Sequence, residues 1–302
     1  MNNNKSAPLS ELALLGVLAL LWGSSYFLTK IAVETIPPIT LIAMRVTTAA
    51  IFLMIVVYFS GNRFPRDVKT WRMLLLQSFF NSIGGWTLLA WGQQFVDSSL
   101  ASVLNSTSPI FVFFFTVFIT RHEPTNPLKL VGACLGVLGV SLIVGADALA
   151  GLGQQVFAQI AILGGAMLYA CAAIYGKRFS HLSPMITAAG TMLCASICLI
   201  PMAFLFENPM AMAATGKAVA AVLFLGVVST GIALLLYFRL VTTLGSMGVA
   251  SQSYLRAGVG VLLGVLLLGE QITPVIGFGL AAAILGVAAI NTPFRSKKRL
   301  IE

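Results

Sequence analysis

The sequence predicts an all-α integral membrane protein: ten transmembrane helices arranged as two inverted five-helix repeats. Three observations predict it, namely an apolar composition, ten apolar runs of membrane-spanning length, and a second half that matches the first at one ungapped offset.

Of 302 residues, 58% are hydrophobic and 9% charged, with a mean hydropathy of +0.96. A soluble domain carries about 25% charged residues to keep its surface wet, so this chain is built for lipid. Crossing ~30 Å of hydrocarbon takes a helix of about 20 mostly apolar residues. Segmenting on that length gives runs at 12–33, 39–59, 72–93, 98–119, 127–145, 157–177, 185–206, 218–239, 246–268 and 273–291. Turn chemistry separates them: Pro37-Pro38, Gly61-Asn62 with Pro65, Pro124 to Pro127, Ser183-Pro184, Asn208-Pro209 and Pro274. The stretch before the first run is short and weakly basic, and the run itself is too long for a signal-peptide core, so it reads as the first span.

The net charge of +9 would suggest a nucleic-acid partner in a soluble protein. In a membrane protein, Lys and Arg collect in cytoplasmic loops. With a cytoplasmic N-terminus, 14 of the 18 basic residues fall inside: Lys5, Arg63, Arg66, Lys69, Arg72, Arg121, Lys129, Lys177, Arg178, Arg239, Arg295, Lys297, Lys298 and Arg299. Only Lys30 and Lys217 fall outside, while Arg45 and Arg256 lie within spans. This asymmetry predicts a multi-pass protein with both termini cytoplasmic and accounts for the charge without nucleic acid. The tail from Arg295 to Arg299 reads as a topological anchor, with contact to anionic lipid as the alternative.

At an offset of 147 residues, Lys30 aligns with Lys177, Pro37 with Pro184, Ile39-Thr40 with Ile186-Thr187, Gly84 with Gly231, Ser106 with Ser253, Glu123 with Glu270, Pro127 with Pro274, and Gly139-Val140 with Gly286-Val287. Matches of Lys, Glu, Pro and Gly in one register are hard to obtain by chance in an apolar chain. They divide the protein into a first repeat, 1–147, and a second, 148–302, which carries the basic tail. Five spans per repeat is an odd number, so the second repeat enters the membrane from the opposite side. Inverted repeats supply two interchangeable states, each open to one side, around a site near the bilayer midplane.

Trp22-Gly23-Ser24-Ser25-Tyr26 with Lys30 resembles the WGxxF…K opening of the EamA family in the drug/metabolite transporter superfamily. The stretches from Ala101-Ser102 through Ser108-Pro109-Ile110-Phe111 to Glu123, and Leu268-Gly269-Glu270-Gln271-Ile272-Thr273, each before a glycine-studded span, resemble the ends of EamA repeats. The resemblance covers nearly the whole chain. It implies a fold in which spans 1–4 and 6–9 surround a central cavity, with spans 5 and 10 at the periphery. It also implies movement of small metabolites, often the export of amino acids, across the bacterial inner membrane. The chain departs from the family at Arg256, where the second repeat commonly has Pro; the first repeat keeps Pro109 there.

Arg256 is the sharpest single feature. It lies about ten residues into span 9, so roughly 15 Å from the inner surface at ~1.5 Å per residue, and one turn from Gln252. An unpaired guanidinium at that depth is costly. Either it clamps a carboxylate or phosphate of a bound solute, or it is a buried structural Arg satisfied by carbonyls and by side chains such as Asn105 or Asn81. Ser98, Ser102, Asn105 and Ser108 form a polar stripe on span 4 whose repeat mate carries Gln252, Ser253 and Arg256, an arrangement that fits either a central site or helix–helix hydrogen bonding. Trp22 and Tyr26 on span 1, Trp86 on span 3 and Tyr169, the mate of Trp22, are mid-span aromatics that line a cavity or simply pack. Arg45 reads as structural, because the resemblance places an Arg there in many members. Gly84-Gly85 predicts a kink in span 3. Gly132-xxx-Gly136, matched by Gly279-xxx-Ala283, is either an intramolecular seam or a dimer face.

No Asp or Glu lies deep in a span, which argues against a mid-membrane carboxylate proton relay. Cys134, Cys171, Cys194 and Cys198, with His122 and His181, show no metal-ligand spacing, so neither metal nor cofactor is expected. The chain therefore reads as a secondary transporter of small organic metabolites, amino acids foremost. Its partners are that small molecule and the lipid bilayer, and it acts as a monomer or homodimer. Alternatives on the same fold are a drug, organic-cation or nucleobase exporter. A membrane-embedded enzyme would need a nucleophile–base pair, and a channel a charged ring or filter motif, neither of which the sequence presents.

Overall fold

The computed structural model describes residues 9–96, 98–120, 127–145, 152–256, 258–259 and 273–292. Outside these fall Lys5, Asp97, residues 121–126 with His122 and Glu123, Asp147, the far part of the ninth apolar run with Glu270, and the basic tail. The side chain of Ser98 is likewise outside the described set.

Among the described residues all regular structure is helical. The helices are α1 (Leu9–Val33), α2 (Pro38–Phe59), α3 (Val68–Gly92), α4 (Ser98–Asn105 resuming as Ser108–Phe114), α5 (Pro127–Val144), α6 (Val156–Gly176), α7 (Pro184–Phe206), α8 (Gly216–Thr243), α9 (starting Gly245–Ala250) and α10 (Pro274–Asn291). Eight candidates among the described residues are long and apolar enough to cross a membrane, against ten expected; α5 is a shorter apolar helix, and α9 is followed only to residue 259. Phe59, Phe157 and Phe278 stand exposed on the outer surface, the arrangement of a protein whose solvent is lipid.

The turn residues start the helices as their chemistry requires. Pro38, Pro184 and Pro274 sit in the first turn, where a missing N–H leaves nothing unbonded. Asp67, Ser183, Thr215 and Thr273 cap their helices by accepting from the backbone N–H of Thr70, Ile186, Ala218 and Ile276. α2 is capped from afar: Glu207, at the end of α7, accepts from the backbone N–H of Ile39 (2.9 Å) and Thr40 (2.7 Å) and from the Thr40 hydroxyl (2.7 Å). At the opposite end of α1, Glu11 accepts from Arg239 Nη2 (2.7 Å) and Thr243 Oγ1 (2.9 Å) at the end of α8. Arg239 is half-exposed, so that pair contributes about 1 kcal/mol or less.

The kink expected at Gly84-Gly85 takes the form of a π-helical stretch, Phe79–Trp86, inside α3. A second one, Val227–Ile232, interrupts α8 around Gly231, the mate of Gly84. One distortion thus recurs in both halves at the 147-residue offset.

Packing repeats in the same way. α5 packs on α10 and α2 on α7, each with its own mate, while α1 against α8 mirrors α6 against α3. Exchanging the halves leaves this pattern unchanged, as a two-fold relation between them requires. The α5–α10 contact is a glycine seam: a Cβ on Gly139 would come 2.6 Å from the Gly279 carbonyl, and one on Gly286 would come 2.6 Å from that of Gly132. The GxxxG of span 5 therefore serves an intramolecular contact in this fold.

Candidate functional site

Two slender crevices meet at Arg256. Their walls come from α1, α2, α3, α4, α6, α8 and α9, and none from α5 or α10. The first holds Trp22, Tyr26, Arg45, Trp86, Gln93, Tyr169 and Arg256; the second holds Trp22, Asn105, Tyr169, Tyr237, Gln252, Ser253 and Arg256. Each is tight enough to take about one or two waters, so any larger guest must widen it.

Helical spacing explains the lining. On α1, Trp22, Ser25, Tyr26 and Thr29 recur at three and four residues, and on α3 Trp86, Leu89, Ala90 and Gln93 do the same. Asn81 lies earlier in α3, within the π-helical stretch, and lines neither crevice. It is 1% exposed, and neither its Nδ2 nor its Oδ1 has a partner.

Arg256 is 7% exposed. Its Nε donates to Gln252 Oε1 at 2.7 Å and its Nη1 to the Tyr26 hydroxyl at 3.2 Å, while its charge lies 4.9 Å from the Trp22 ring centre. Asn105 Nδ2 also donates to Tyr26, at 2.8 Å.

Arg45, set aside in the sequence as structural, opens onto the same crevice. Its Nε donates to Thr230 Oγ1 at 2.7 Å, and its guanidinium lies 4.2 Å from the Trp86 ring centre. The positive charges of Arg45 and Arg256 repel one another. Neither is paired with a carboxylate among the described residues. The signal that could have found Arg45 was its position, since any cation inside a span is a site candidate before it is a scaffold. Gln93, 1% exposed with Nε2 unpartnered, was missed altogether, because a polar residue near a span end reads as interface.

Aromatic faces support two cations without consuming their N–H edges, which suits recognition of an anion. Tyr26→Phe would keep the ring but remove the acceptor used by both Arg256 and Asn105. We expect binding of an anionic guest to weaken about tenfold, the effect of losing ~1.5 kcal/mol of charge-assisted bonding, and stability to fall by about 1 kcal/mol, because the buried Asn105 Nδ2 loses its acceptor. Titration calorimetry on the purified variant checks it.

A helical membrane protein with pseudo-symmetric halves around a narrow polar crevice has the build of a membrane transporter. The comparisons make this specific: the EamA-like transporter family matches residues 9–145 and again 156–292, and the chain belongs to that family. The matched segments begin 147 residues apart, the offset read from the sequence. The chain is 25% identical over 288 residues to the uncharacterized transporter YoaV of Bacillus subtilis (strain 168), covering 94% of this chain and 98% of YoaV. It is also 25% identical over 274 residues to the uncharacterized inner membrane transporter YedA of Escherichia coli (strain K12), covering 91% and 88%. A protein of known crystal structure superimposes with a TM-score of 0.76 at 18% identity, over 93% of this chain and 97% of that one, a likeness of fold alone. The chain is thus a membrane transporter with a tandem EamA repeat.

Proposed function

We propose that this transporter is a secondary carrier of the bacterial inner membrane that exports small organic metabolites bearing an acidic group, amino acids among them. It works by alternating access between two inverted halves. The observation that carries the reading is Arg256, a buried guanidinium at the crossing of two crevices, oriented by Gln252 and Tyr26 and left without a carboxylate among the described residues. Trp22, Trp86 and Tyr169 supply the walls and Asn105 a further polar contact. A positive crevice disfavours organic cations, which weakens the drug-exporter alternative. Transport needs the crevice to open to each side in turn, and the Glu11 contact with Arg239 and the Glu207 contact with α2 are suited to hold it shut at its two ends.

Counterflow in proteoliposomes tests the carrier: liposomes preloaded with an unlabelled organic acid should accumulate the labelled acid transiently, whereas a pore would only equilibrate it. Orientation is tested separately. Single cysteines placed before Leu9 and after Asn291 in a cysteine-free background should resist an impermeant thiol reagent in intact cells and react after permeabilisation. Reaction in intact cells would reverse the proposed topology.

A further inference from the structure

The crevice walls hold far more unmatched donors than acceptors. Among the described residues, nothing accepts from Nη1 or Nη2 of Arg45 or from Nη2 of Arg256. Gln93 Nε2 and Trp22 Nε1 are buried at the same walls and are also unpartnered. Fewer acceptors stand against these: Asn105 Oδ1, buried without a donor and oriented by the bond from its Nδ2 to Tyr26, and Gln93 Oε1, to which no described residue donates. Buried polar groups are almost always satisfied, so a cluster of orphans at one cavity describes the guest by its complement. Here the complement is rich in acceptor oxygens, carries negative charge, and includes a donor for Asn105 Oδ1.

The number of charges is fixed by the two arginines. Arg45 and Arg256 line one crevice, repel each other, and have their planes supported by Trp86 and by Trp22, with edges left for a guest. One carboxylate would neutralise one of them and leave the other buried and unmet. Two acidic groups on one compact molecule neutralise both.

We propose that the transported solute is a small diacid carrying one amino or hydroxyl donor, of the chemical class of an acidic α-amino acid or a hydroxy-dicarboxylate. One acidic group binds between Arg45 and the Gln93 amide, the other at Arg256 and the Trp22 indole N–H, and the donor reaches Asn105 Oδ1. The inference rests on the reading that this crevice is the transport site and narrows its substrate.

The test is stabilisation of the purified full-length protein against heat, titrated with glutamate and glutarate (two carboxylates, with and without an amino group), alanine and propionate (one carboxylate), and tetraethylammonium. Glutamate is expected to act at a concentration at least about tenfold below alanine, and several-fold below glutarate. Arg45→Gln should bring glutamate and alanine to similar concentrations while keeping alanine binding, whereas Arg45→Lys, which keeps the charge, should retain part of the preference. Equal potency of glutamate and alanine on the wild type overturns the diacid proposal and leaves the anion carrier standing. An undiminished preference in Arg45→Gln overturns the role of Arg45. Stabilisation by tetraethylammonium and by none of the acids sinks both readings. Should Arg45→Gln fail to fold, the wild-type ranking and Arg45→Lys still decide.

Discussion

Replacing Arg256 by Gln is expected to reduce transport of an organic acid at least about 100-fold while leaving the melting temperature unchanged or slightly raised. The two effects have opposite signs for one reason. Removing one partner of a buried, hydrogen-bonded charge pair costs about 2–5 kcal/mol of binding, hence the loss of activity. In the empty protein the guanidinium has no counter-ion among the described residues and sits 7% exposed beside a second positive charge, so its removal relieves the folded state. Initial rates in proteoliposomes and a thermal melt of the same preparation check both halves. A variant that loses stability and activity together would mark Arg256 as scaffold.

The second large effect concerns the seam. Gly286→Val is expected to lower stability by about 1–3 kcal/mol or to prevent folding, because the added Cβ would lie 2.6 Å from the Gly132 carbonyl and 2.8 Å from the Gly136 nitrogen, both backbone atoms of α5 that cannot move without parting the helices. Gly277→Val, on the same helix but with nothing within 4 Å of its added Cβ, is the control and should behave as wild type. Fluorescence-detected size exclusion after heating separates the two. Equal melts would mean that α5 and α10 do not pack as described.

Much of the fold was legible because lipid simplifies the code. A span must be long, apolar and internally bonded, so counting runs found the eight candidate spans among the described residues, and sliding the chain on itself found the 147-residue offset at which the two family matches begin. The Gly84-Gly85 pair flagged the distorted stretch of α3, although not that it would be π-helical or have a counterpart at Val227–Ile232. The cap of α2 was out of reach, since Glu207 finds Ile39 and Thr40 across 168 and 167 residues.

The site was legible in part. Periodicity finds the polar face of a helix but not its neighbour, so Asn105, Gln252 and Arg256 were recognisable as candidates while their junction at Tyr26 was not. Asn81 carried the same polar signal but lines neither crevice, although it shares the π-helical stretch with Trp86, which does. The resemblance marks Arg45 as structural, whereas its depth in α2 marks it as a site candidate. That Arg45 and Arg256, both read as lying within spans, share one crevice needed the packing of α2 and α9.

Whether the two buried arginines hold an anion is decided most directly by equilibrium dialysis of radiolabelled glutamate with the purified wild type and with Arg256→Gln at neutral pH. The account predicts saturable, one-to-one binding to the wild type, competed by unlabelled glutamate but not by tetraethylammonium, and at least about 100-fold weaker in the variant. Equal binding to both proteins, or competition by tetraethylammonium, would contradict it.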